Sequence, residues 1–559
     1  MSVLEGRRAA VREALHAALA AAIAEGQLPA VEVPPQATVS EPRDRTHGDL
    51  SANLAMLLAG PARMPGRDVA GILVRHLDVS RVPGCLRAEV AGPGFLNFFL
   101  QAGWLSPVVE EVLSAGAAYG CSDHGRGQRV LVEFVSANPT GPLNVVNCRA
   151  AAFGDALVRC LRAVGYRVEA EYFVNDAGGQ VRKLGMSLEV RLRQLRGESV
   201  GMPDGGYPGA YLVEVARAYA DTHGNAVLDA PEDARVSALA RYAVERLLAE
   251  QRAVLERFRV SFDHFVREAA IRETGAPERV VEHLVELGRT EERDGALWLC
   301  TKDSKEDNDN RVLRKRDGSL TYRVPDIAYH AAKFERGYDR LIDIYGQDHH
   351  GEVPAVRLAL QWLGYPVERL EVLLTQMVRL VRDGRDAGKV SKRGGTFIAM
   401  TDFLDDVGVD PARYFFLMRT IDTHMDFDVD LARSRTQDNP VYYVQYAHAR
   451  ICSIMRQAAG VEIPDMPLAV LDHPAEASLC YCLAMYPEEV RAAAESRAPH
   501  RLTAYLRTTA ERFHTFYVQC RVIGEEPPRV AARMALCRAT RQVLASALGL
   551  LGVSAPERM

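Results

Sequence analysis

The segment that decides the fold is Arg129-Val-Leu-Val-Glu-Phe-Val-Ser-Ala-Asn-Pro-Thr-Gly-Pro-Leu143. Its first seven residues are mostly apolar and β-branched, which is typical of a strand buried in a parallel sheet. The remainder is rich in turn-forming residues, and a helical pattern follows over residues 145–164. Residues 167–174 again have the pattern of a strand. This order predicts a β-α-β unit in an open, Rossmann-type parallel sheet, which binds ligands at the carboxyl ends of its strands.

The chain on both sides of this unit predicts a division into domains. Its 559 residues suit three or four domains at about 150 residues each. We assign residues 1–115 to a small N-terminal α/β domain and residues 116–430 to an α/β domain that contains the Rossmann-type sheet. Residues 175–292 are mainly helical and charged, which indicates an insertion between two halves of that sheet. Residues 431–559 predict an all-α C-terminal bundle, with prolines at the helix breaks.

Individual elements can be assigned within the first two domains. In the N-terminal domain we expect helices up to residue 27, near residues 50–59 and at residues 107–115, and strands at residues 87–90 and 95–100. In the central domain we expect further strands at residues 296–300, 320–324, 341–345 and 370–375, and helices at residues 327–336 and 352–363. This alternation of strands and helices is typical of a parallel sheet covered by helices.

Composition and charge exclude several classes of protein. Hydrophobic residues make up 48% of the chain, and 68 basic residues nearly balance 73 acidic ones, as in a folded globular protein. The net charge of -5 argues against binding nucleic acid by bulk positive charge, but leaves a local basic groove possible. No apolar run is long enough to span a membrane. The ten cysteines lack a zinc-binding spacing, so we expect reduced thiols in the cytoplasm and no structural metal.

Two candidate sites follow strands of the sheet. The first is the turn from Ser136 to Asn147, because the N-terminus of the next helix offers unpaired N–H groups to a phosphate or carboxylate. An ordinary connection that binds nothing is the alternative. The second is Tyr345-Gly-Gln-Asp-His-His-Gly351. Its acids and histidines could bind a metal, but adjacent histidines do not easily reach one ion, so contact with the hydroxyls of a ribose is favoured.

The third candidate site is the loop Asp383-Gly-Arg-Asp-Ala-Gly-Lys-Val-Ser-Lys-Arg-Gly-Gly395. The chain has few lysines, and two of them, Lys389 and Lys392, lie in this loop. It is not a Walker phosphate loop, because the first glycine of that motif is missing and valine follows Lys389. The glycines and the two lysines nevertheless suit a loop that folds over a triphosphate and neutralises a leaving pyrophosphate. A solvated basic turn is the alternative.

The three segments together carry a resemblance to a known family. The chain resembles arginyl-tRNA synthetases, which are class I aminoacyl-tRNA synthetases, over nearly its whole length. The loop Lys389-Val-Ser-Lys-Arg393 is similar to the family's Lys-Met-Ser-Lys-Ser signature, and the turn from Ser136 to the lead-in of its His-Ile-Gly-His signature. Further matches are Gly48-Asp-Leu-Ser-Ala-Asn-Leu-Ala55, Gly92-Pro-Gly-Phe-Leu-Asn97, Tyr172-Phe-Val-Asn-Asp-Ala-Gly-Gly-Gln180, Thr321-Tyr-Arg-Val-Pro-Asp-Ile-Ala-Tyr329, Asn439-Pro-Val-Tyr-Tyr-Val-Gln-Tyr-Ala-His-Ala-Arg450 and Pro556-Glu-Arg-Met559.

The resemblance implies a reaction, its partners and its site residues. L-arginine and ATP, which binds with Mg²⁺, would form arginyl-adenylate and pyrophosphate, and the arginyl group would pass to the terminal adenosine of tRNA(Arg). We expect a monomer without a membrane segment. The implied catalytic residues are Lys389, Lys392, Asn144 and Asn147; those for ATP are Pro139, Gly141, Gly346, Asp348, His349, Met377, Val378 and Ser391; those for arginine are Glu133, Ser136, Asn138, Tyr322 and Asp326; those for tRNA are Asn53, Tyr442, Gln445, Tyr446 and Arg450.

Some of these residues have a plainer interpretation. Tyr322 could simply pack on a strand, and Asp326 could cap the N-terminus of a helix. The main departure from the family is Asn144-Val-Val-Asn147, where His-x-Gly-His is usual. Asparagine cannot place a positive charge beside phosphates, as a histidine can. We interpret this change as a tolerated variant; the alternative function is that of a catalytically inactive, tRNA-binding relative.

Overall fold

The computed structural model describes residues 2–42, 44–301, 310–347, 351–386, 398–458 and 468–559. The N-terminal elements are α1 (Val3–Ala24), β1 (Val39–Ser40), β2 (Leu50–Ala52), α2 (Leu54–Ala62), α3 (Gly66–His76), β3 (Cys85–Ala91), β4 (Phe95–Leu100) and α4 (Pro107–Ala115). The four strands form an antiparallel sheet in the order β1-β2-β4-β3. The expected α1, α4, β3 and β4 are all present. The helix expected near residues 50–59 is wrong at its start, because Leu50–Ala52 pairs with β4 as a strand.

The central region follows in the same chain order. Its elements are β5 (Arg129–Phe134), α5 (Val145–Ala163), β6 (Arg167–Val174), α6 (Gly179–Leu195), α7 (Tyr211–His223), α8 (Glu232–Arg257), β7 (His264–Arg267), α9 (Glu268–Glu273), α10 (Ala276–Glu286), β8 (Thr290–Arg293), β9 (Ala296–Leu299), β10 (Arg311–Arg314), α11 (Arg323–Glu335), β11 (Arg340–Gly346), α12 (Val353–Trp362), β12 (Leu370–Thr375), β13 (Val378–Arg382), β14 (Arg385–Asp386), α13 (Met400–Val407), α14 (Val409–Phe416), β15 (Met425–Asp428) and α15 (Val429–Arg433). The main sheet is parallel throughout, in the order β12-β11-β5-β6-β7.

The prediction of a Rossmann-type parallel sheet is therefore confirmed, with β5 at its centre. From Val130 to Phe134 every residue of β5 is buried, which accounts for its continuous apolar pattern. Helix α5 lies close against this strand: a Cβ at Gly154 would stand 2.3 Å from Cγ of Phe134. Only glycine permits that approach, so the pair lets the middle of α5 pack closely on the carboxyl end of β5.

Three expectations for the central region need correction. Residues 175–292 are not wholly an insertion, because β7 within them is the edge strand of the main sheet. The strand expected at residues 296–300 exists as β9, but it belongs to a separate antiparallel sheet with β8 and β10. The strand expected at residues 320–324 is wrong, since α11 begins at Arg323. The common reason is that a short apolar run reveals neither whether it forms a strand nor which strand it will pair with.

The C-terminal region is all helical, as predicted. Its elements are α16 (Pro440–Gln457), α17 (Pro474–Glu495), α18 (His500–Gln519) and α19 (Pro527–Leu550). Three of these helices begin with proline, which tolerates the first helical turn because its missing N–H has no partner there. Pro487, however, lies inside α17 rather than at a break. Within the described ranges, every helix is too short or too polar to cross a membrane.

Candidate active site

A cavity of about 1970 Å³ opens at the carboxyl ends of β5, β6 and β11. The expected site residues that line it are Glu133, Ser136, Asn138, Gly141, Asn144, Asn147, Tyr322, Asp326, Gly346 and Met377. Pro139 and Val378 lie beside this lining rather than in it. Asp348, His349, Lys389, Ser391 and Lys392 lie outside the described residues. The cavity thus brings together parts of the chain that are distant in sequence.

The turn after β5 has a strained backbone. Val135 and Ser136 have φ angles of 71° and 38°, in the left-handed region that valine rarely adopts. Hydrogen bonds hold the turn there: Ser136 Oγ donates to Glu133 Oε1 at 2.7 Å and accepts from the N–H of Phe173 at 3.1 Å. Strain of this kind persists only where the surroundings enforce it, and it is concentrated at functional sites.

The motif around Tyr172 braces the same turn from β6. Tyr172 Oη donates to the carbonyl of Ala137 at 3.0 Å, and Asn138 donates to Gln180 Oε1 at 3.0 Å. Asn175 Nδ2 in turn donates to Asn138 Oδ1 at 2.8 Å. The amide of Asn138 is therefore fixed by partners on both sides. The sequence shows this motif as a family match, and the contacts of its residues with the turn emerge only from the fold.

Gln251 of α8 is a further support that sequence analysis missed. Its Nε2 donates to the carbonyl of Gly141 at 2.9 Å and to that of Asn138 at 3.2 Å, while its Oε1 lies 2.9 Å from Tyr172 Oη, as a second acceptor for the hydroxyl proton that also faces Ala137. Its side chain is buried, whereas its neighbours in sequence are charged. A lone uncharged polar residue on the apolar face of α8 is the only sequence signal that points to it.

Asn144 and Asn147 form a capping box at the start of α5. Asn144 Oδ1 accepts from the N–H of Val146 at 2.9 Å, and Asn147 Oδ1 accepts from the N–H of Asn144 at 2.9 Å. Both side chains therefore fix the helix N-terminus that faces the cavity. Within the described ranges, their Nδ2 groups make no hydrogen bond, so both amides can donate to a ligand.

Tyr322 and Asp326 belong to α11 on the other side of the cavity. Tyr322 is 65% exposed, and its hydroxyl donates to Glu352 Oε1 at 2.8 Å, so its ring stands at the cavity wall rather than packing on a strand. Asp326 lies in the first turn of α11, but the capping position is Tyr322. The plainer interpretations of both residues are therefore wrong, and both side chains are accessible to a ligand.

A group of buried charges lies beneath the cavity, and sequence analysis missed it. Lys333 Nζ contacts Glu133 Oε2 and lies 2.7 Å from Asp343 Oδ1, while His330 Nε2 lies 2.9 Å from Asp343 Oδ2. Burial favours the neutral form of Asp343, but Lys333 and His330 together lower its pKa. Burial raises the pKa of Glu133 against the opposing effect of Lys333. The signal in the sequence is the spacing Asp326, His330 and Lys333, which places all three on one face of α11.

The edge expected to contact adenine is held by an arginine. Met377 is 59% exposed, and its carbonyl accepts from the N–H of Met425 at 3.2 Å, while Val378 pairs with Met425 in the β13–β15 ladder. The fully buried Arg149 of α5 donates to the carbonyls of Gln376 at 3.0 Å and Thr423 at 2.8 Å. This edge is therefore tied to the helix that begins at the cavity.

The residues expected to bind tRNA lie in the terminal regions. The rings of Tyr442 and Tyr446 are stacked with centroids 6.3 Å apart, and the guanidinium of Arg450 lies over the ring of Tyr517 at 4.2 Å. Asn53 accepts from the N–H of Thr38 at 2.8 Å and so supports the loop before β1.

The expectation for Gln445 needs correction. Its side chain is buried, and its Nε2 donates to Asp410 Oδ2 at 2.9 Å and to the carbonyl of Ser554 at 3.0 Å. A donor already engaged inside the protein does not present itself to a base. The residue fixes the contact between α16, α14 and the C-terminal tail.

Comparison with known proteins agrees with this geometry. Residues 9–100 match the arginyl tRNA synthetase N terminal domain, and residues 444–559 match the DALR anticodon binding domain. The chain is 46% identical over 564 residues to the arginine–tRNA ligase of Symbiobacterium thermophilum, with 100% of both chains covered. The arginine–tRNA ligase of Moorella thermoacetica is 45% identical, also with 100% of both chains covered.

A solved structure shows the same fold. The arginyl-tRNA synthetase of Thermus thermophilus superimposes with a TM-score of 0.73 at 24% identity, covering 99% of this chain and 100% of that one. Together with the full-length identity to arginine–tRNA ligases, the parallel sheet and the cavity at its carboxyl edge place the chain among the aminoacyl-tRNA synthetases of the Rossmann-fold class. Within that class, the chain belongs to the arginine–tRNA ligase family. The expected family is confirmed, and the alternative of an inactive relative finds no support in these similarities.

Proposed function

We propose that this chain joins L-arginine to tRNA(Arg), through arginyl-adenylate formed from arginine and ATP. The observation that carries the proposal is the cavity, which brings the capped start of α5, Tyr322 and Asp326 into one space. The full-length similarity to curated arginine–tRNA ligases supports the choice of amino acid. No side chain of the cavity is needed as a covalent nucleophile, because positioning and charge stabilisation suffice for this reaction.

The side chain of arginine is assigned to the α11 side of the cavity. A guanidinium is planar with five N–H donors, so a selective pocket needs carboxylate acceptors. Asp326 is accessible there, and Glu133 lies at the end of β5. Tyr322 offers a ring face that a guanidinium can stack on. Ser136 and Asn138, held by the braced turn, are assigned to the α-amino or carboxylate end of the substrate.

ATP, which enters as its Mg²⁺ complex, is assigned to the α5 side. The N-terminus of α5 with the amides of Asn144 and Asn147 suits the phosphates, next to Pro139 and Gly141. Gly346 lies at the ribose position, and the backbone at Met377 and Val378 reads adenine. Asp348 and His349 for the ribose, and Lys389, Ser391 and Lys392 for the phosphates, stay proposals that rest on the family resemblance.

The terminal regions are proposed to bind tRNA. Residues 1–115 form the N-terminal tRNA-binding domain, residues 116–430 the catalytic domain and residues 431–559 the anticodon-binding domain. The half-buried rings of Tyr442 and Tyr446 can contact unpaired bases, and Arg450 can add a positive charge. Asn53 acts through the loop that it supports. We further propose that the protein works as a monomer in the cytoplasm.

The test is ATP–pyrophosphate exchange with the full-length chain. We expect exchange that depends on arginine and is measured with and without tRNA(Arg). Lysine in place of arginine should give no exchange, because one ammonium leaves part of the carboxylate pocket unpaired. Absence of arginine-dependent exchange under both conditions would overturn the proposal.

The lysine loop has its own test in the same assay. Lys392→Ala should reduce exchange about 100-fold or more, since a preorganised charge on the transition state is lost. Binding of tRNA, measured by filter retention, should stay as in the unchanged chain. Exchange at the full rate in this variant would mean that the loop does not contact the phosphates.

A further inference from the structure

Five alternating charges connect the two sides of the cavity that are proposed to hold arginine. We call them the charge chain, and they run in the order Asp326, His330, Asp343, Lys333 and Glu133. The three middle side chains are at most 3% exposed. Asp326, His330 and Glu133 all line the cavity, and the side chain of Asp326 is the most exposed of the five, at 35%. A buried row of charges that borders a cavity in this way is suited to act on whatever lies there.

His330 carries a proton on both ring nitrogens in this arrangement. Nδ1 lies 2.8 Å from the carbonyl oxygen of Asp326, which can only accept, and 3.2 Å from its carboxylate. Nε2 lies 2.9 Å from Asp343 Oδ2. An imidazolium donates to the acceptor beside each nitrogen, and the hydroxyl of Tyr345, 3.1 Å from Nε2, can then donate to Asp343 Oδ2 at 3.3 Å. Burial opposes this charge, but Asp326 and Asp343 outweigh it and raise the pKa of His330 to about 10.

Lys333 serves the other end in the same way. Its ammonium contacts Glu133 and Asp343, and its remaining side lies over the ring of Tyr329 at 4.3 Å. Its side chain is fully buried, so water supplies none of these interactions. Glu133 is held on its second oxygen by Ser136. The ammonium and the hydroxyl of Ser136 therefore fix the direction of Glu133, because each holds one of its two oxygens.

We propose that His330 and Lys333 are positioning residues for the selection of arginine, which hold the carboxyl groups of Asp326 and Glu133 in fixed orientations at the cavity. This inference rests on the proposed function, in which those two carboxylates receive the substrate. A guanidinium is planar and its N–H groups point in fixed directions, so a carboxylate that is not anchored no longer matches its geometry.

The first experiment separates the two substrates in the exchange assay with tRNA(Arg) present. His330→Gln should raise KM for arginine about 10- to 100-fold, the factor that one hydrogen bond to a charged group provides. KM for ATP should change by less than about twofold, because the ATP side of the cavity is untouched. Equal changes in both KM values would contradict a role specific to arginine.

Arg336→Gln supplies a matched control on the same helix. Arg336 Nη1 lies 2.5 Å from the fully buried Glu171, so this variant also breaks a buried ion pair of α11. Neither residue lines the cavity. Its unfolding temperature should fall as in His330→Gln, while KM for arginine stays within about twofold. If KM for arginine rose as much in Arg336→Gln as in His330→Gln, the rise would reflect general damage to α11, and the positioning role would be contradicted.

A double variant tests whether His330 acts through Asp326. If it does, adding His330→Gln to Asp326→Asn should change KM for arginine by less than about twofold, since the shared interaction is already gone. Multiplicative effects would overturn the positioning role.

The unchanged protein gives a second measurement in case His330→Gln does not fold. KM for arginine should stay constant between pH 6 and 8, because the imidazolium keeps its proton. A rise in KM above about pH 6.5, the ordinary pKa of histidine, would contradict the proposal. The charged groups that act on His330 are Asp326 and Lys333 on α11 and Asp343 on β11, and the hydroxyl of Tyr345 lies 3.1 Å from Nε2. On the neighbouring elements, Glu133 at the end of β5, Glu268 and Arg272 on α9 and Glu352 before α12 line the same cavity.

The experiments distinguish failure of the proposed function from failure of the positioning role. If the unchanged chain shows no arginine-dependent exchange, the proposed function is wrong. If the unchanged chain is active but His330→Gln behaves like Arg336→Gln, only the positioning role is wrong.

Discussion

The charge chain can be compared with a second buried ion cluster, in which Arg413 of α14 meets Asp155 of α5. Here the guanidinium contacts Asp155 Oδ2 and donates to the carbonyls of Leu551 and Phe258, each at 2.8 Å. Arg159 donates to the same carboxylate at 2.8 Å. Both clusters pair buried acids with buried bases, yet in the second one backbone carbonyls take up the remaining donors of the buried guanidinium of Arg413.

The difference lies in what each cluster leaves open. The charge chain has two carboxylates at a cavity. The guanidinium of Arg413, in contrast, donates its hydrogen bonds to backbone carbonyls and to Asp155 inside the protein. The first arrangement can act on a ligand, and the second can only hold α5, α14 and the C-terminal tail together. Buried charge therefore does not by itself identify a functional site. What distinguishes the two clusters is whether their carboxylates border a cavity.

Arg413→Met should have the largest effect on stability, and it tests whether the Arg413 cluster stabilises the fold without affecting the substrate. Removing one partner of a buried pair leaves Asp155 without its main cation and costs about 3–5 kcal/mol. We expect a lower unfolding temperature in calorimetry and an unchanged KM for arginine in the folded fraction. If KM for arginine increased and the unfolding temperature did not fall, the Arg413 cluster would serve substrate binding rather than stability, contrary to our assignment.

Asp326→Asn tests the cavity side. Removing one charge from the proposed pocket should lower kcat/KM for arginine about 100-fold, within the range for truncating a charged pair. Its side chain is 35% exposed, so the unfolding temperature should change little. Steady-state exchange and a thermal melt check both parts; a large loss of stability with normal exchange would contradict the assignment.

Gly552→Ala should have an intermediate effect on the second cluster. Gly552 has a φ of 67°, and a Cβ there would stand 2.3 Å from Nη2 of Arg413, which cannot move. We expect a destabilisation of about 1–3 kcal/mol. Gly288→Ala is the matched control, because Gly288 also has a positive φ, of 64°, and a Cβ at that position meets nothing within 4 Å. Equal melting temperatures for the two variants would show that Arg413 has room to shift.

Tyr322→Phe should have the smallest effect. It removes the hydroxyl that donates to Glu352, but keeps the ring at the cavity wall. Loss of one hydrogen bond at an exposed position should raise KM for arginine about 2- to 10-fold. Tyr322→Leu, which also removes the ring face, should raise it further; identical values for the two variants would argue against stacking on the substrate.

Local patterns predicted much of the fold. β5, α5 and β6 were placed to within one residue, because a buried strand, a turn and an amphipathic helix each leave a continuous local pattern. The four-residue strand β7 was missed, since so short a run has no reliable period. The cavity residues Asp326 and Tyr322 came from the family resemblance, and the structure shows that both reach the cavity.

The sequence by itself determined the fold class, the family and the residues at the carboxyl edge of the sheet. Only the tertiary structure decided which charges are paired and which face a ligand. Lys333 and Glu133 are 200 residues apart, and Arg413 and Asp155 are 258 apart, so no local pattern connects them. The reason is physical: strand and helix patterns depend on neighbouring residues, whereas the partner and burial of a charge depend on elements that meet only in the folded chain.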